Sequence, residues 1–284
     1  MTTVHDSVDR PRGRTRPRAE SPSRRRSLRV AKSALIPIVI IAVWTTVSQL
    51  GLVRPLFMPT PSQLWGSLVG LWPLLPGAIT STLTMTISGF AAGTIGGAAM
   101  GLTMAYSVRV RDFVGPLFDF LRPVPIFALI PLFVLWFGIG RTPQVLLVAL
   151  GCAVILGVTT LEAVRNVPHI YVAAAMTLGA SRRRIYRTVV LPWVLPHLIG
   201  AVRVAAAAAW GLGVAAEFMG SQQGLGYLII LQQTYLRTAG IIVIVLIYSL
   251  LAVGMDLTIA GAERRLTRWT TRHTDTGTTS AFST

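Results

Sequence analysis

Few side chains in this sequence could do covalent chemistry, and their spacing argues against it. His5, His169, His197 and His273 are scattered without metal-ligand spacing, so no metal site is expected, and no serine, histidine and acid form a nucleophilic grouping. The lone Cys152 lies inside an apolar run, which excludes an internal disulfide framework and cysteine-based zinc spacing. A glycine-rich GxxxxGK[ST] phosphate loop is absent, and the sole lysine is Lys32, so the chain does not hydrolyse nucleotide by that route. What the residues can do is recognise. Between Glu162 and His197 the sequence places Ala173-Ala174-Ala175, Gly179, the cluster Arg182-Arg183-Arg184 and then Val189-Val190-Leu191-Pro192. This insert is too basic to cross a bilayer and too apolar along one face to be an idle loop, which predicts a surface that docks on a protein partner, with an amphipathic pair resting on anionic headgroups as the alternative.

A second group of candidates consists of charges and prolines inside apolar runs. Glu217, in Ala215-Ala216-Glu217-Phe218, falls near one end of its run. A carboxylate at mid-membrane costs about 2.5–3.5 kcal/mol, so a gate contact, an interhelix hydrogen bond or snorkelling to water must account for it. Asp119 and Arg122 are one helical turn apart and are expected to neutralise each other. Pro123, Pro125 and Pro131 follow, so that helix must bend or break, and broken helices often line translocation paths. These residues are candidates for a pore or gate, with a simple structural kink as the alternative. Arg203 and Asp256 fall where snorkelling or pairing is expected.

The elements that must position these residues are apolar helices. In 284 residues, 52% are hydrophobic and only 13% charged, which identifies an integral membrane protein. A formal charge of +16 would suggest nucleic acid on a soluble face, but the arginines fall between the apolar runs and at the ends, so nucleic acid is not an expected partner. Six runs are long enough to span, at about 34–53, 78–106, 114–138, 143–163, 199–219 and 239–261. The arginine-rich connections all fall on one face, leaving Arg54, Arg141 and Arg237 on the other, so the insert and both termini are expected in the cytoplasm. Residues 1–32 carry ten basic residues and few large apolar ones and are expected to be a disordered cytoplasmic tail, with a second tail at 264–284. The expected domain organisation is therefore a cell-membrane domain over 33–263 that contains the insert at about 164–198.

Within the second span Gly89, Gly93, Gly97 and Gly101 recur every four residues, with Gly96 beside them, which predicts a face where another helix backbone can approach closely. Intrachain packing and a dimer seam both fit that stripe. Trp65 to Leu75 is too short to span and is expected to lie along the outer surface, in contact with lipid headgroups. The connection Ser221 to Thr238 is longer than a simple turn needs and is expected to dip back into the protein or meet a partner. The insert reads as two short helices: Pro168 starts the first, Gly179 ends it, Ser181 caps the second, and Pro192 and Pro196 stop it.

At this point the sequence resembles a known family. Three residues separate Ala175 from Gly179, nine separate Gly179 from Val189, and Leu191-Pro192 follows one residue later, a spacing similar to the EAA loop of permease subunits of binding-protein-dependent ABC importers. Leu121-Arg122-Pro123-Val124-Pro125, Leu135-Trp136-Phe137-Gly138-Ile139-Gly140 and Glu217-Phe218-Met219-Gly220 with Gly224-Leu225-Gly226 resemble the nitrate, sulfonate and taurine branch. The motif glutamate is Ala173 here, which removes one charged contact.

The resemblance implies an all-α pore subunit that pairs with a second permease copy, is gripped by a cytoplasmic ATPase dimer and receives cargo from an external solute-binding protein. ATP and magnesium would be held on the ATPase, and no cofactor on this chain. Ala173, Ala174, Ala175 and Gly179 would form the docking turn, Val189, Leu191 and Pro192 would anchor the second helix, and Arg182 and Arg183 would meet acidic groups on the ATPase. A gradient-driven transporter or channel and a membrane scaffold remain the alternatives.

Overall fold

The computed structural model describes residues 22–266. The expected disordered stretch 1–21 and most of the expected C-terminal tail lie outside them. Every regular element is helical: α1 (Pro22–Gln49), α2 (Pro61–Leu71), α3 (Leu75–Tyr106), α4 (Val108–Leu121), α5 (Ile130–Phe137), α6 (Arg141–Arg165), α7 (His169–Thr177), α8 (Arg182–Ile185), α9 (Leu191–Gly220), α10 (Leu225–Thr234) and α11 (Thr238–Leu266). Residues up to 60 and those from 61 onward form two units. In the first, helix starts at Pro22, so residues 22–32 are helical where a structureless tail was expected. Arginine and lysine are good helix formers, and an apolar helix already nucleated propagates into them at little cost.

Among the described residues, four helices are long and apolar enough to cross a membrane: Leu75–Tyr106, Arg141–Arg165, Arg182–Met219 and Thr238–Glu263. Helix α4 and the segment Ile126–Phe137 that contains α5 form a further apolar pair bent by 92°, the geometry of a broken span or a re-entrant loop. The first expected span falls on α1, an unbroken helix from Pro22 to Gln49 that holds the apolar stretch Leu35–Gln49, and the other five expected runs fall on the four long helices and the broken pair.

The break between α4 and α5 follows from the prolines. Helix α4 ends at Leu121, Pro125 is extended, a short 3₁₀ turn covers Ile126–Leu129, and Pro131 sits in the first turn of α5, where its missing N–H costs nothing. Ser107 does two jobs at the other end of α4: its extended backbone (φ −120°, ψ 117°) terminates α3, and its hydroxyl accepts from Val110 N as N-cap. The two helices are thereby joined through one residue.

Helices α3 and α6 make the most extensive contact in the second unit. The glycine stripe causes it. A Cβ on Gly93 would stand 2.2 Å from the Ala149 carbonyl oxygen, one on Gly97 2.4 Å from that of Ala153, one on Gly101 2.6 Å from that of Gly157, and one on Gly89 2.7 Å from Val148 Cβ. The stripe therefore lies against α6 of the same chain. Beside it, Met85, Val148, Cys152, Leu156, Ala201, Ala205 and Ala209 form the core shared by α3, α6 and α9. Many large apolar side chains face outward instead, among them Phe113, Ile95, Leu135, Leu250 and Leu257, as a hydrocarbon solvent requires.

Two expectations about proline fail together. Pro192 and Pro196 do not stop the second insert helix: α8 passes through a π-helical segment, Tyr186–Val190, straight into α9. The Leu191 N–H bonds to the Tyr186 carbonyl, five residues back, and this widened turn lets the chain carry Pro192 at the start of a regular helix.

Gly96 is the internal control for the stripe, since a Cβ there meets nothing within 4 Å. Gly93→Ala and Gly97→Ala should each cost about 1–3 kcal/mol by overpacking, whereas Gly96→Ala should be neutral or stabilising by up to about 1 kcal/mol. Thermal unfolding of the three purified variants in detergent checks this; equal melting temperatures would contradict the packing described.

Candidate functional site

The insert is built around a reversal at Gly179. Helix α7 closes with the Gly179 N–H bonded to the Met176 carbonyl at 2.9 Å and the Ala180 N–H to that of Ala175 at 3.0 Å, a Schellman motif. The residue after the helix cap must then be left-handed, and Gly179 has φ +74°. Ser181 follows, extended, with its hydroxyl accepting from Arg184 N as N-cap of α8. Ala173 and Ala174 are exposed on α7, Ala175 is half-buried, and Leu178 is 87% exposed. Together with Ile170 and Met176 they leave the insert with an outward apolar surface where the family glutamate would have placed a charge.

Three contacts hold this surface to the rest of the unit. Val172, Tyr186 and Val189 pack on a buried cluster of Ala163, Val167, Val190 and Val194. The Tyr186 hydroxyl donates to the Leu102 carbonyl at 2.7 Å, and its ring meets Tyr106 edge-on at 5.2 Å. Arg182 lies over the Tyr106 ring, 5.0 Å from its centroid, and donates to the Tyr106 carbonyl. Arg182 is therefore an internal tie between the insert and the end of α3, while Arg183, Arg184 and Arg187 are exposed. Leu191 is half-buried and Pro192 exposed at the start of α9. Tyr106 and Tyr186 carried no sequence signal beyond their closeness to arginines.

The expected pair of Asp119 and Arg122 does not form. Helix α4 has ended at Leu121, which turns Arg122 toward α6, and its guanidinium donates to Glu162 at 3.1 Å. Asp119 and Arg122 do share a groove of about 410 Å³ with Arg111, Asp112, Glu162 and Arg165, beside the root of the insert. Pro123 and Pro125 lie in the break that follows α4.

Glu217 occupies a place that spacing alone could not show. It is 2% exposed, so it does not snorkel. Its carboxylate accepts from the Thr82 hydroxyl at 2.7 Å and from the Gly226 N–H at 2.7 Å, while Thr82 Oγ1 accepts from the Leu225 N–H at 2.9 Å. The two side chains thus cap the first turn of α10, a helix that dips back between α3, α9 and α11 with Leu225, Leu228 and Ile229 in the core. Gly224 and Gly226 are required because a Cβ on either would fall within 2.6 Å of Glu217. The long connection after α9 is this inserted helix. Thr82 was not foreseen, since one threonine in a span carries no signal.

A bundle of broken and glycine-packed spans with a basic two-helix insert defines a class, the polytopic membrane protein. Comparison supplies the family: residues 93–268 match the binding-protein-dependent transport system inner membrane component, and the chain belongs to that family. It is 32% identical over 242 residues to the taurine transport system permease protein TauC of Escherichia coli, covering 81% of this chain and 86% of that one. To the putative aliphatic sulfonates transport permease protein SsuC of Bacillus subtilis it is 31% identical, over 84% and 87% of the two chains. Among solved structures, the inward-facing MetNI methionine ABC transporter shares the fold at TM-score 0.56 and 24% identity, covering 71% of this chain and 98% of that one. An amino acid ABC transporter shares it at TM-score 0.59 and 20% identity, over 70% and 97%.

Removing the Glu217 carboxylate should strand buried donors. Glu217→Ala is expected to destabilise by about 1.5–3 kcal/mol and Glu217→Gln by less, since one amide oxygen still accepts. Limited proteolysis across Ser221–Gly224 should become faster in the same order; unchanged cleavage would show that the carboxylate does not hold α10.

Proposed function

We propose that this chain is one half of the translocation path of an ATP-driven importer for small sulfonates, taurine among them, with nitrate-like anions as the wider class. The observation that carries the cargo is the identity to both a taurine and an aliphatic sulfonate permease over more than four-fifths of the chain. Two copies face each other, a homodimer, and a solute-binding protein delivers cargo from outside. The positive-inside distribution of arginine supports a cytoplasmic insert and cytoplasmic termini. There an ATPase dimer, which holds the ATP and magnesium, grips the two inserts; the permease itself catalyses nothing.

The geometry supports a particular kind of grip. With Ala173 in place of the motif glutamate, contact at the tip rests on apolar fit by Ala173, Ala174, Ile170 and Leu178, and on the exposed Arg183 and Arg184. For ATP-driven closure to move the pore, the insert must meet the two ATPase states differently, because equal binding to both shifts nothing. The groove with Asp119 and Arg122, at the break after α4, is the segment best placed to change shape in response.

Co-reconstitution with the partner ATPase and binding protein tests the assignment. Uptake of taurine or another small alkanesulfonate that requires ATP and the binding protein is expected; ATP-dependent uptake of an unrelated solute and of no sulfonate would overturn the cargo. The grip is tested at Gly179. Nothing lies within 4 Å of a Cβ there, so a substitution acts through backbone strain or at the partner surface. Gly179→Asn, which tolerates left-handed backbone, should keep most ATPase co-purification, and Gly179→Val should lose most of it while still inserting in the membrane. Equal retention by both would refute the turn as the docking element.

A further inference from the structure

At the end of the second unit opposite the insert, a cavity of about 320 Å³ is lined by Ser81 of α3, Ile139, Gly140, Arg141 and Gln144 at the start of α6, and Ser221, Gln222 and Gln223 after α9. Three separate segments contribute, and five of the eight lining residues are neutral and polar. Arg141 is the one cation among them. Its guanidinium reaches Ser81 Oγ at 3.4 Å and forms no ion pair among the described residues, which leaves most of its donors directed elsewhere.

The acids explain why this charge is uncompensated. From residue 61 to 266 there are six: Asp112, Asp119, Glu162, Glu217, Asp256 and Glu263. Asp112, Asp119 and Glu162 line the groove beside the insert. Asp256 and Glu263 are engaged by Arg203, at 2.9 and 3.7 Å. Glu217, the acid closest to the cavity in sequence, does not line it and is engaged by the α10 cap. The cavity also opens on the N-terminal end of α6, whose dipole has the same sign.

From this we infer that the cavity is a binding site for a small tetrahedral oxoanion, held by the Arg141 guanidinium with the Ser81 and Gln222 side chains as further donors. A planar fork of N–H donors matches two oxygens of a sulfonate or sulfate and discriminates against a spherical ion of the same charge. The volume lies at the low end of ligand pockets, about 300–1,000 Å³, which suits a sulfonate of a few carbons. The sulfonate as natural occupant rests on the proposed cargo; the oxoanion site does not. On that reading the anion released outside meets Arg141 before it enters the path.

The test uses the purified full-length permease in neutral-lipid nanodiscs, without ATPase, and saturation-transfer NMR on the methyl group of methanesulfonate. Wild type should show transfer that sulfate competes away and equal chloride does not. Arg141→Gln should weaken binding about tenfold or more, with Arg141→Lys intermediate. Gln222→Glu, which sets a carboxylate on the opposite wall and leaves Arg141 intact, should abolish it, and it decides the matter if Arg141→Gln fails to fold. Undiminished transfer in Arg141→Gln and Gln222→Glu, or competition by chloride as strong as by sulfate, would overturn the site. If methanesulfonate binds through Arg141 but the reconstituted importer carries no sulfonate, the site stands and the cargo assignment falls.

Discussion

The close approach of α3 and α6 is the constraint on which the rest of the second unit depends. Four glycines remove the side chains that would hold these backbones apart, and carbonyl oxygens of Ala149, Ala153 and Gly157 take up the space. In a hydrocarbon solvent, where apolar surface gains little by being buried, such contact is what makes helices associate. Because the two helices run together to their ends, the Tyr106 end of α3 and the Ala163–Val167 end of α6 form one platform. The insert is seated on that platform through Tyr186, Arg182 and the valines around Val190. At the opposite end the same pair supplies Thr82, Ser81 and Arg141, so the α10 cap and the anion cavity inherit their spacing from the same seam.

Polar groups inside the bundle show how charge is tolerated there. Glu217 is fully surrounded, and its oxygens meet a hydroxyl and a helix N-terminus instead of a cation. Arg203 and Asp256, by contrast, form a two-bond ion pair that is half exposed. The first arrangement fixes a loop in place; the second contributes little to stability where water or lipid headgroups can compete.

Much of this was legible in the residues because it depends on local rules. Gly179 and Ser181 announced a left-handed cap and an N-cap, and the helices end and begin there. The glycine stripe announced a close contact, and Pro123 and Pro125 a break. What was not legible depends on partners distant in sequence. Arg122 was assigned to the nearest acid, yet the end of α4 turns it toward Glu162, forty residues on. Glu217 read as a costly charge because Thr82, 135 residues away, could not be paired with it from spacing. Pro192 and Pro196 read as stops because the compensating π-turn spreads over five residues of ordinary type.

That π-turn has a mechanical consequence. Since the helix does not break between Arg182 and Met219, the basic residues at its start and the carboxylate that caps α10 ride on one continuous rod of 38 residues, roughly 57 Å long. Its middle is a run of small residues, Ala201, Ala205 and Ala209, packed against Cys152 and Leu156. One end of the rod is tied to α3 through Arg182 and Tyr186, and the other end is tied to the same helix through Glu217 and Thr82. A push on the insert is therefore borne by α3 and α9 together, and the α10 cap at the far end can shift only as far as both helices do.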